Sequence, residues 1–188
     1  YYCVGYSTTE YKLDGENMKN LTGHRGTEIC TEVLVTLLPY KVLESLFSVL
    51  KLVNLELKYL TLEPIAALEA VVPKDMYHMN LVLVDIGAGT SDIAIISNGK
   101  VIAYGMVPKA GDFVTETVSN EFLLEFKTAE QIKKQAGMKD MMTETITFSD
   151  IFNKQYQLPG ADLLQKIQPC VAELADRISD EIRNLTAN

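Results

Sequence analysis

The stretch DIGAGTSD, residues 85–92, stands between two short apolar runs, LVLV at 81–84 and IAII at 93–96. Apolar runs of this length on both sides of a turn predict two buried strands. Two glycines in the turn let backbone N–H groups approach an anion closely, and consecutive N–H groups form a concave anion site. The stretch therefore predicts a phosphate-binding turn, with a hairpin whose glycines serve geometry alone as the alternative.

The polar side chains of this turn suit phosphate chemistry. Asp85 cannot bind a phosphate directly, because like charges repel, but it can hold a hydrated Mg²⁺ that bridges to the phosphates. Thr90 and Ser91 supply hydroxyl groups. A Walker-type loop would run from strand to helix and end in Gly-Lys-Ser/Thr, and neither this ending nor Gly-x-Gly-x-x-Gly is present.

Composition limits the classes of protein that fit. The 188 residues are 47% hydrophobic and 22% charged, typical of one large or two small globular domains. A net charge of −8 without a run of Lys or Arg argues against a nucleic-acid partner. Three widely spaced cysteines, Cys3, Cys30 and Cys170, fit neither a disulfide framework nor a Cys-x-x-Cys metal site, which favours the cytoplasm.

The ends of the sequence lack the features of targeting segments. No apolar run approaches the roughly 20 residues of a membrane span, and no signal peptide is visible. The sequence starts at Tyr1 within a strand-like run and ends within a helical pattern. We therefore expect a fragment of a longer protein.

The N-terminal third predicts a small α/β subdomain. Residues 1–13 and 28–37 have strand patterns, and the second alternates so that its odd-numbered residues should form a half-buried face. Apolar residues recur at helical spacing over 42–53, and 55–62 is interpreted as another strand. The predicted order is β–β–α–β.

After the N-terminal subdomain, the patterns predict a short helix at 65–71 and three consecutive antiparallel strands, with Asn98-Gly99 as the second hairpin turn. Asp112 is a suitable N-cap for a helix over 113–126. Thr128 and Gln131 have the spacing of a capping box for a helix ending at residue 136.

The C-terminal part predicts mainly helix. A short helix is expected over 149–156, and apolar residues over 163–185 mark a long helical stretch. Pro169 should kink that stretch or restart it.

The run LVLVDIGAGTSDIAI, residues 81–95, resembles the second phosphate motif of the actin-like ATPase superfamily. Other matches follow in order: LEPIAA (62–67) resembles the connecting helix before that motif, and AEQIK (129–133) resembles the Glu-x-x-Lys helix that reaches the nucleoside. VPKAGD (107–112) resembles the turn after the third strand, although Ala110 replaces the first of two usual glycines.

Within the superfamily the sequence is most similar to the cell division protein FtsA family, which carries an inserted α/β subdomain. EYKLDG (10–15), GHRG (23–26) and LEP (62–64) follow that family's order. The resemblance implies an α/β fold, a fragment of an actin-like (ribonuclease H-like) ATPase. PilM-like pilus assembly ATPases, chaperone ATPases and sugar kinases are the alternatives.

The resemblance also implies a division of the chain into four parts. These are the inserted subdomain at 1–58, a short segment of the first lobe at 59–78, the second-lobe core at 79–137 and the outer helical part of that lobe at 138–188. The first phosphate loop and the adenine loop of the family would lie outside this sequence, so it would carry about half of a nucleotide site.

Site residues are carried over from the resemblance. Asp85 would coordinate Mg²⁺ through water, and the phosphates would contact Gly87, Ala88, Gly89 and Thr90. Glu63 would position a water molecule or the metal shell, as a catalytic residue together with Asp85. Asp92 either contributes or only ties the turn.

Four further residues would reach the nucleotide: Gly111, Asp112, Glu130 and Lys133. Glu130 and Lys133 lie three residues apart, hence on one helix face. The carboxylate suits ribose hydroxyls and the ammonium suits the nucleotide's charge, with a surface ion pair as the alternative. Asp112 either contacts the nucleotide or only caps its helix.

The function implied is that of an ATP-binding protein, with Mg²⁺, that assembles into filaments at the inner face of the cell membrane. It would tether polymers of the tubulin-like protein FtsZ, and the resemblance leaves weak Mg²⁺-dependent ATP hydrolysis open. The family reaches the membrane through an amphipathic C-terminal helix, to which nothing in this sequence corresponds.

Overall fold

The computed structural model describes residues 1–137, 142–149 and 154–187, with both helices and strands. In chain order the elements are β1 (Tyr2–Leu13), β2 (Glu16–Met18), β3 (Ile29–Leu38), α1 (Tyr40–Leu52), α2 (Glu63–Val71), a 3₁₀ turn (Lys74–Met76), β4 (Leu81–Ile86), β5 (Ser91–Ser97), β6 (Lys100–Val107), α3 (Gly111–Phe122), α4 (Phe126–Ala136), β7 (Thr145–Ser149), β8 (Gln155–Pro159) and α5 (Gly160–Thr186). Their sheets have the orders β2-β1-β3, β4-β5-β6 and β7-β8.

The chain divides into two compact units. The first comprises Tyr1–Leu83 and Ala94–Tyr104, and the second comprises Val84–Ile93 and Gly105–Asn188. No helix in the described part of the chain combines the length and apolar character needed to cross a membrane.

The first unit starts with an antiparallel sheet in which β1 pairs with β2 and β3. Asp14 and Gly15 form the first turn, both left-handed with φ of 51° and 86°. The Asp14 carboxylate accepts hydrogen bonds from the hydroxyl and N–H of Thr27 and the N–H of Glu28, which lower its pKa. These bonds hold the start of β3 beside the end of β1.

The two faces of β3 are reversed relative to the sequence prediction. The strand is confirmed, but three apolar odd-numbered residues are exposed: Val33 at 40%, Val35 at 48% and Leu37 at 52%. Leu34 and Thr36, on the opposite face, line a small cavity together with Ile65 of α2. Because α2 lies on the even-numbered side, the more apolar odd side is left to solvent.

The predicted strand over 55–62 is wrong, since no regular element forms there. Leu55, Leu57 and Tyr59 are exposed at 62%, 40% and 93%. Their alternation has no neighbouring strand with which to pair, and a strand needs a partner for its backbone groups. The N-terminal order is therefore β–β–β–α.

The core of the first unit forms where α2 meets the strands. Its buried members are Leu68, Ala94, Ile96 and Val101, with Ile65, Val72, Tyr77, Leu81 and Leu83 packed against them. The predicted hairpin at Asn98-Gly99 is confirmed, with left-handed φ values of 50° and 69°.

The core of the second unit joins α3, α4, α5 and the β7-β8 hairpin. Its buried members are Val118, Ala129, Ile132, Ile146, Leu158 and Leu163. The helix predicted over 149–156 is wrong at both ends, because Ser149 closes β7 and Gln155 opens β8, while 150–153 lie outside the described residues. Helix α5 passes through Pro169 without restarting.

Gly99 provides a test of the hairpin. A Cβ at this position would lie 2.6 Å from the Tyr77 ring, and the left-handed backbone adds its own penalty. Gly99→Ala should therefore lower the free energy of unfolding by about 2 kcal/mol or more.

Gly15→Ala is the matched control, because Gly15 is left-handed but has no atom within 4 Å of the added Cβ. It should cost about 1–2 kcal/mol, from the backbone alone. Equal thermal melts for the two variants would contradict the packing of Gly99 against Tyr77.

Candidate functional site

The predicted phosphate turn, residues 85–92, connects β4 to β5 in the second unit. The N–H of Gly87 donates to the carbonyl of Thr90 at 3.0 Å and closes the turn. The Thr90 hydroxyl donates to the Asp92 carboxylate at 3.2 Å. Asp92 thus ties the turn from within, as one of its two sequence interpretations expected.

Two carbonyl groups of the turn are bound to the start of α3. The N–H of Gly111 donates to the Gly87 carbonyl at 3.0 Å, and the N–H of Asp112 donates to the Ala88 carbonyl at 2.7 Å. The first N–H groups of a helix have no partner within the helix. Here the turn supplies partners for two of them.

This arrangement corrects the predicted role of Asp112 as a cap. Ala110 precedes the helix, Asp112 is its second residue, and no side chain caps the first turn. The backbone N–H groups of Gly111 and Asp112 serve the turn, so only the Asp112 side chain could contact a ligand. The helix is also shorter than predicted, because Leu123 adopts a left-handed conformation with φ of 53°.

The outward side of the turn carries unpaired donors. The N–H groups of Ala88, Gly89 and Thr90 find no acceptor among the described residues, and all three residues are exposed. Successive free N–H groups in a turn make an anion-binding concavity. The carbonyls of Gly87 and Ala88 are therefore bound to α3, while the N–H groups of residues 88–90 have no acceptor among the described residues.

The glycines at 89 and 111 differ in whether the surrounding protein restricts the position to glycine. At Gly111 a Cβ would lie 3.1 Å from the Gly87 carbonyl oxygen, so the close contact between turn and helix needs glycine. At Gly89 a Cβ would meet nothing within 4 Å, and the backbone is not left-handed. Nothing in the described chain therefore requires glycine at 89.

Asp85 stands next to the turn as an isolated carboxylate. It is the penultimate residue of β4, is half-buried, and makes no hydrogen bond or ion pair within the described ranges. The same ranges contain no group of three or more His, Cys, Asp or Glu that could hold a metal. One carboxylate suits Mg²⁺ that keeps most of its water and binds phosphate oxygens.

Glu130 and Lys133, on α4, form an ion pair that is tied to α3. The Lys133 ammonium lies 2.5 Å from Glu130 Oε2, donates to the Gly111 carbonyl at 3.1 Å and donates to the Thr115 hydroxyl at 2.8 Å. Their side chains are 26% and 22% exposed. The pair is thus partly buried beside the phosphate turn rather than on an open surface.

Glu130 is held as an anion. Hydrogen bonds from Lys133 and then Thr115 lower its pKa to about 2, against a smaller opposing effect of burial. The second carboxylate oxygen lies 3.3 Å from the Lys134 ammonium. An ionised carboxylate can accept hydrogen bonds from ligand hydroxyl groups but cannot donate one.

Glu63, the remaining predicted catalytic residue, is exposed and begins α2 in the first unit. The other predicted site residues all belong to the second unit. Its role remains a prediction of the resemblance.

Ser91 and Lys109 hold this region together, in roles that sequence reasoning did not predict. The hydroxyl of Ser91, expected to suit phosphate chemistry, is instead turned into the protein. Ser91 is fully buried and donates to the Lys109 carbonyl at 2.8 Å, which fixes the start of β5. The Lys109 ammonium lies 2.7 Å from Glu173 of α5 and 3.6 Å from the centroid of the Phe113 ring. The alternation of Ser91 with buried Ile93 was the available signal for the inward serine.

Comparison with known proteins places this geometry in a family. The family model described as "Cell division protein FtsA" matches residues 82–184. The chain is 29% identical over 181 residues to the cell division protein FtsA of Buchnera aphidicola subsp. Baizongia pistaciae (strain Bp). That match covers 93% of this chain but 43% of the relative, so the chain spans less than half of that protein's length.

Solved structures show the fold. A PilM-PilN type IV pilus biogenesis complex matches with a TM-score of 0.66 and 16% identity, over 94% of this chain and 44% of that one. MreB 5 of Spiroplasma citri bound to AMPPNP matches with a TM-score of 0.59 and 23% identity, over 78% of this chain and 48% of that one. The actin-like α/β fold expected from the sequence is confirmed.

The ionised state of Glu130 predicts a pH dependence. Because the folded pKa is about 2, below the ordinary 4.5, the charged carboxylate stabilises the fold above pH 4.5, and this contribution is lost as the pH falls toward 2. Glu130→Gln should lower the free energy of unfolding at pH 7 by about 1–2 kcal/mol, after allowance for solvent screening.

The difference in the free energy of unfolding between the unsubstituted protein and Glu130→Gln should shrink as the pH falls from 4.5 to 2, as measured by denaturant melts. Glu116→Gln is the control, because Glu116 lies exposed on α3 and has no partner within the described ranges. A difference for Glu130→Gln that stays constant with pH would contradict the charged hydrogen-bond network.

Proposed function

The chain belongs to the family of cell division protein FtsA, and on that premise we propose that it forms one side of an ATP site in a cell-division protein. The phosphate turn would receive the phosphates, and α4 would face the sugar. The relative it matches is more than twice as long, so the rest of the site is proposed to lie in segments outside this chain.

One observation carries the proposal for the phosphates. Residues 88–90 are exposed, their three consecutive N–H groups have no acceptor in the described part of the chain, and no described neighbour restricts position 89 to glycine. Backbone donors satisfy anionic oxygens without a long side chain to order. Gly87, Ala88, Gly89 and Thr90 are therefore proposed as the phosphate contacts.

Asp85 is the proposed anchor for Mg²⁺. A half-buried carboxylate without a protein partner is costly unless a cation balances it. A bound Mg²⁺ would neutralise phosphate charge and orient the phosphates. Asp85 would hold it through water, because direct contact with phosphate would place like charges together.

The nucleoside end is proposed to lie at Glu130 and Lys133. AMPPNP, bound in MreB 5 of Spiroplasma citri, is an analogue of ATP, so at least one protein of this fold takes an adenine nucleotide. In this chain the ionised Glu130 suits sugar hydroxyls, and the Lys133 ammonium suits negative charge.

The cellular role is proposed from the family. We propose that the whole protein assembles into filaments at the inner face of the cell membrane and tethers polymers of the tubulin-like FtsZ, with residues 1–58 contributing to self-assembly. Among the described strands, β3 lies at the edge of its sheet, and this edge together with the exposed apolar face of β3 supports such a contact. The membrane contact itself is assigned to a region outside this chain.

Gly89→Ala tests the phosphate turn in the full-length protein. The added methyl has open space, so the thermal melt should stay unchanged, whereas the affinity for Mg-ATP should fall about tenfold or more because the methyl stands where phosphate oxygens approach. Titration calorimetry measures this directly.

Gly15→Ala is the control for nucleotide binding, since it alters a turn in the first unit. Gly89→Ala with unchanged affinity would leave the hairpin interpretation standing and reject the phosphate site.

Asp85→Asn tests the metal. The amide keeps the shape and removes a charge that has no protein partner, so the melting temperature should stay level or rise. The enhancement of ATP binding by Mg²⁺ should largely disappear, as measured with and without EDTA. The control is Asp75→Asn, in the 3₁₀ turn, which should keep the full enhancement by Mg²⁺. Full enhancement in Asp85→Asn as well would reject the role of Asp85 in holding the metal.

A further inference from the structure

Thr115 contacts two charged residues of α4, Glu130 and Lys133, and the first residue of α3. Its hydroxyl oxygen lies 2.5 Å from Glu130 Oε2, 2.8 Å from the Lys133 ammonium and 3.1 Å from the Gly111 carbonyl. The residue is fully buried, with 0% exposure. The hydroxyl is therefore shielded from bulk water in the folded protein.

The chemistry of the three neighbours fixes the direction of these bonds. An ammonium can only donate, so the hydroxyl accepts from Lys133. Its single proton can reach either the Glu130 carboxylate or the Gly111 carbonyl. The carboxylate is charged and nearer, and 2.5–2.7 Å is typical of a charge-assisted O–H···O⁻ bond. The Thr115 hydroxyl therefore donates its hydrogen bond to Glu130.

These bonds orient the Glu130 carboxylate. Its Oε2 atom is used by Thr115 and Lys133, while Oε1 meets only the Lys134 ammonium among the described residues, at 3.3 Å. Each carboxylate oxygen has two acceptor positions. One position on Oε1 thus stays open on a side chain that is 26% exposed.

We propose that Thr115 is a positioning residue which, by fixing Glu130, makes the site select nucleotides that carry sugar hydroxyls. The inference rests on the proposed nucleotide site. A sugar hydroxyl can donate to the open position on Oε1, whereas a deoxy sugar leaves it empty. Without the Thr115 hydroxyl, Oε2 loses one of its two bonds and the carboxylate can rotate toward Lys133 or Lys134.

The test compares the affinities of the full-length protein for Mg-ATP and for its 2′-deoxy and 3′-deoxy analogues. The unsubstituted protein should prefer ATP over at least one analogue by about tenfold. In Thr115→Val the preference should fall below about threefold, because an isosteric methyl replaces the hydroxyl. Thr115→Ser keeps the hydroxyl and should keep the preference.

A structural role alone would weaken all three ligands by one factor and leave the preference intact, so the affinity ratio separates the two roles. Should Thr115→Val fail to fold because its methyl presses on the charged pair, Thr115→Ala removes the hydroxyl without adding that methyl. Glu130→Gln, with Thr115 intact, should lower the ratio to the same extent.

A preference that survives removal of the Thr115 hydroxyl would overturn the inference, as would an unsubstituted protein that binds all three ligands equally. Both results would leave the proposed ATP site standing. An unsubstituted protein that binds no nucleotide would overturn the proposed site and this inference together.

Discussion

The second unit depends on the hydrogen bonds made by the two peptide groups of Gly111. The N–H of this residue binds the Gly87 carbonyl, and its own carbonyl accepts from Lys133. The phosphate turn is thus connected to α4 through a single residue. A Cβ at 111 would lie 3.1 Å from the Gly87 oxygen, so a larger residue would require the turn and the start of α3 to move apart by a few tenths of an ångström.

This connection also shows how the turn can be held against α3 and still leave donors for the proposed phosphate. Its carbonyls at Gly87 and Ala88 are satisfied by α3, and its N–H groups at 88–90 have no acceptor among the described residues. The positive end of the α3 dipole lies at the same place. A preformed array of donors loses little conformational entropy when a ligand binds, which favours binding.

Features that depend on neighbouring residues in sequence could be predicted, whereas those that depend on distant partners could not. The strands around residues 85–92, the Asn98-Gly99 hairpin and the shared face of Glu130 and Lys133 follow from local spacing. Asp112 has a good propensity to cap, but the helix begins at Gly111, two residues earlier than predicted. Backbone carbonyls of a turn more than twenty residues earlier accept the N–H groups of Gly111 and Asp112 there.

The inward face of β3 was predicted wrongly for the same kind of reason. Alternation shows that a strand has two faces, but only the position of α2 determines which of them is buried. Thr115 gave no signal, because its role appears only when α3 and α4 bring a hydroxyl between a carboxylate and an ammonium.

The two units differ in what they leave unsatisfied, and the difference matches the two kinds of partner proposed. The second unit leaves polar groups open: three N–H donors and the Asp85 carboxylate, at a scale that suits a small charged ligand. The first unit leaves apolar surface open on β3 and on α1, where Val42, Phe47 and Val49 are exposed at 54%, 43% and 57%. Apolar surface gains free energy in proportion to the area removed from water. An exposed apolar surface therefore suits a macromolecular partner, which can cover a large area, better than a small ligand, which makes hydrogen bonds to only a few atoms.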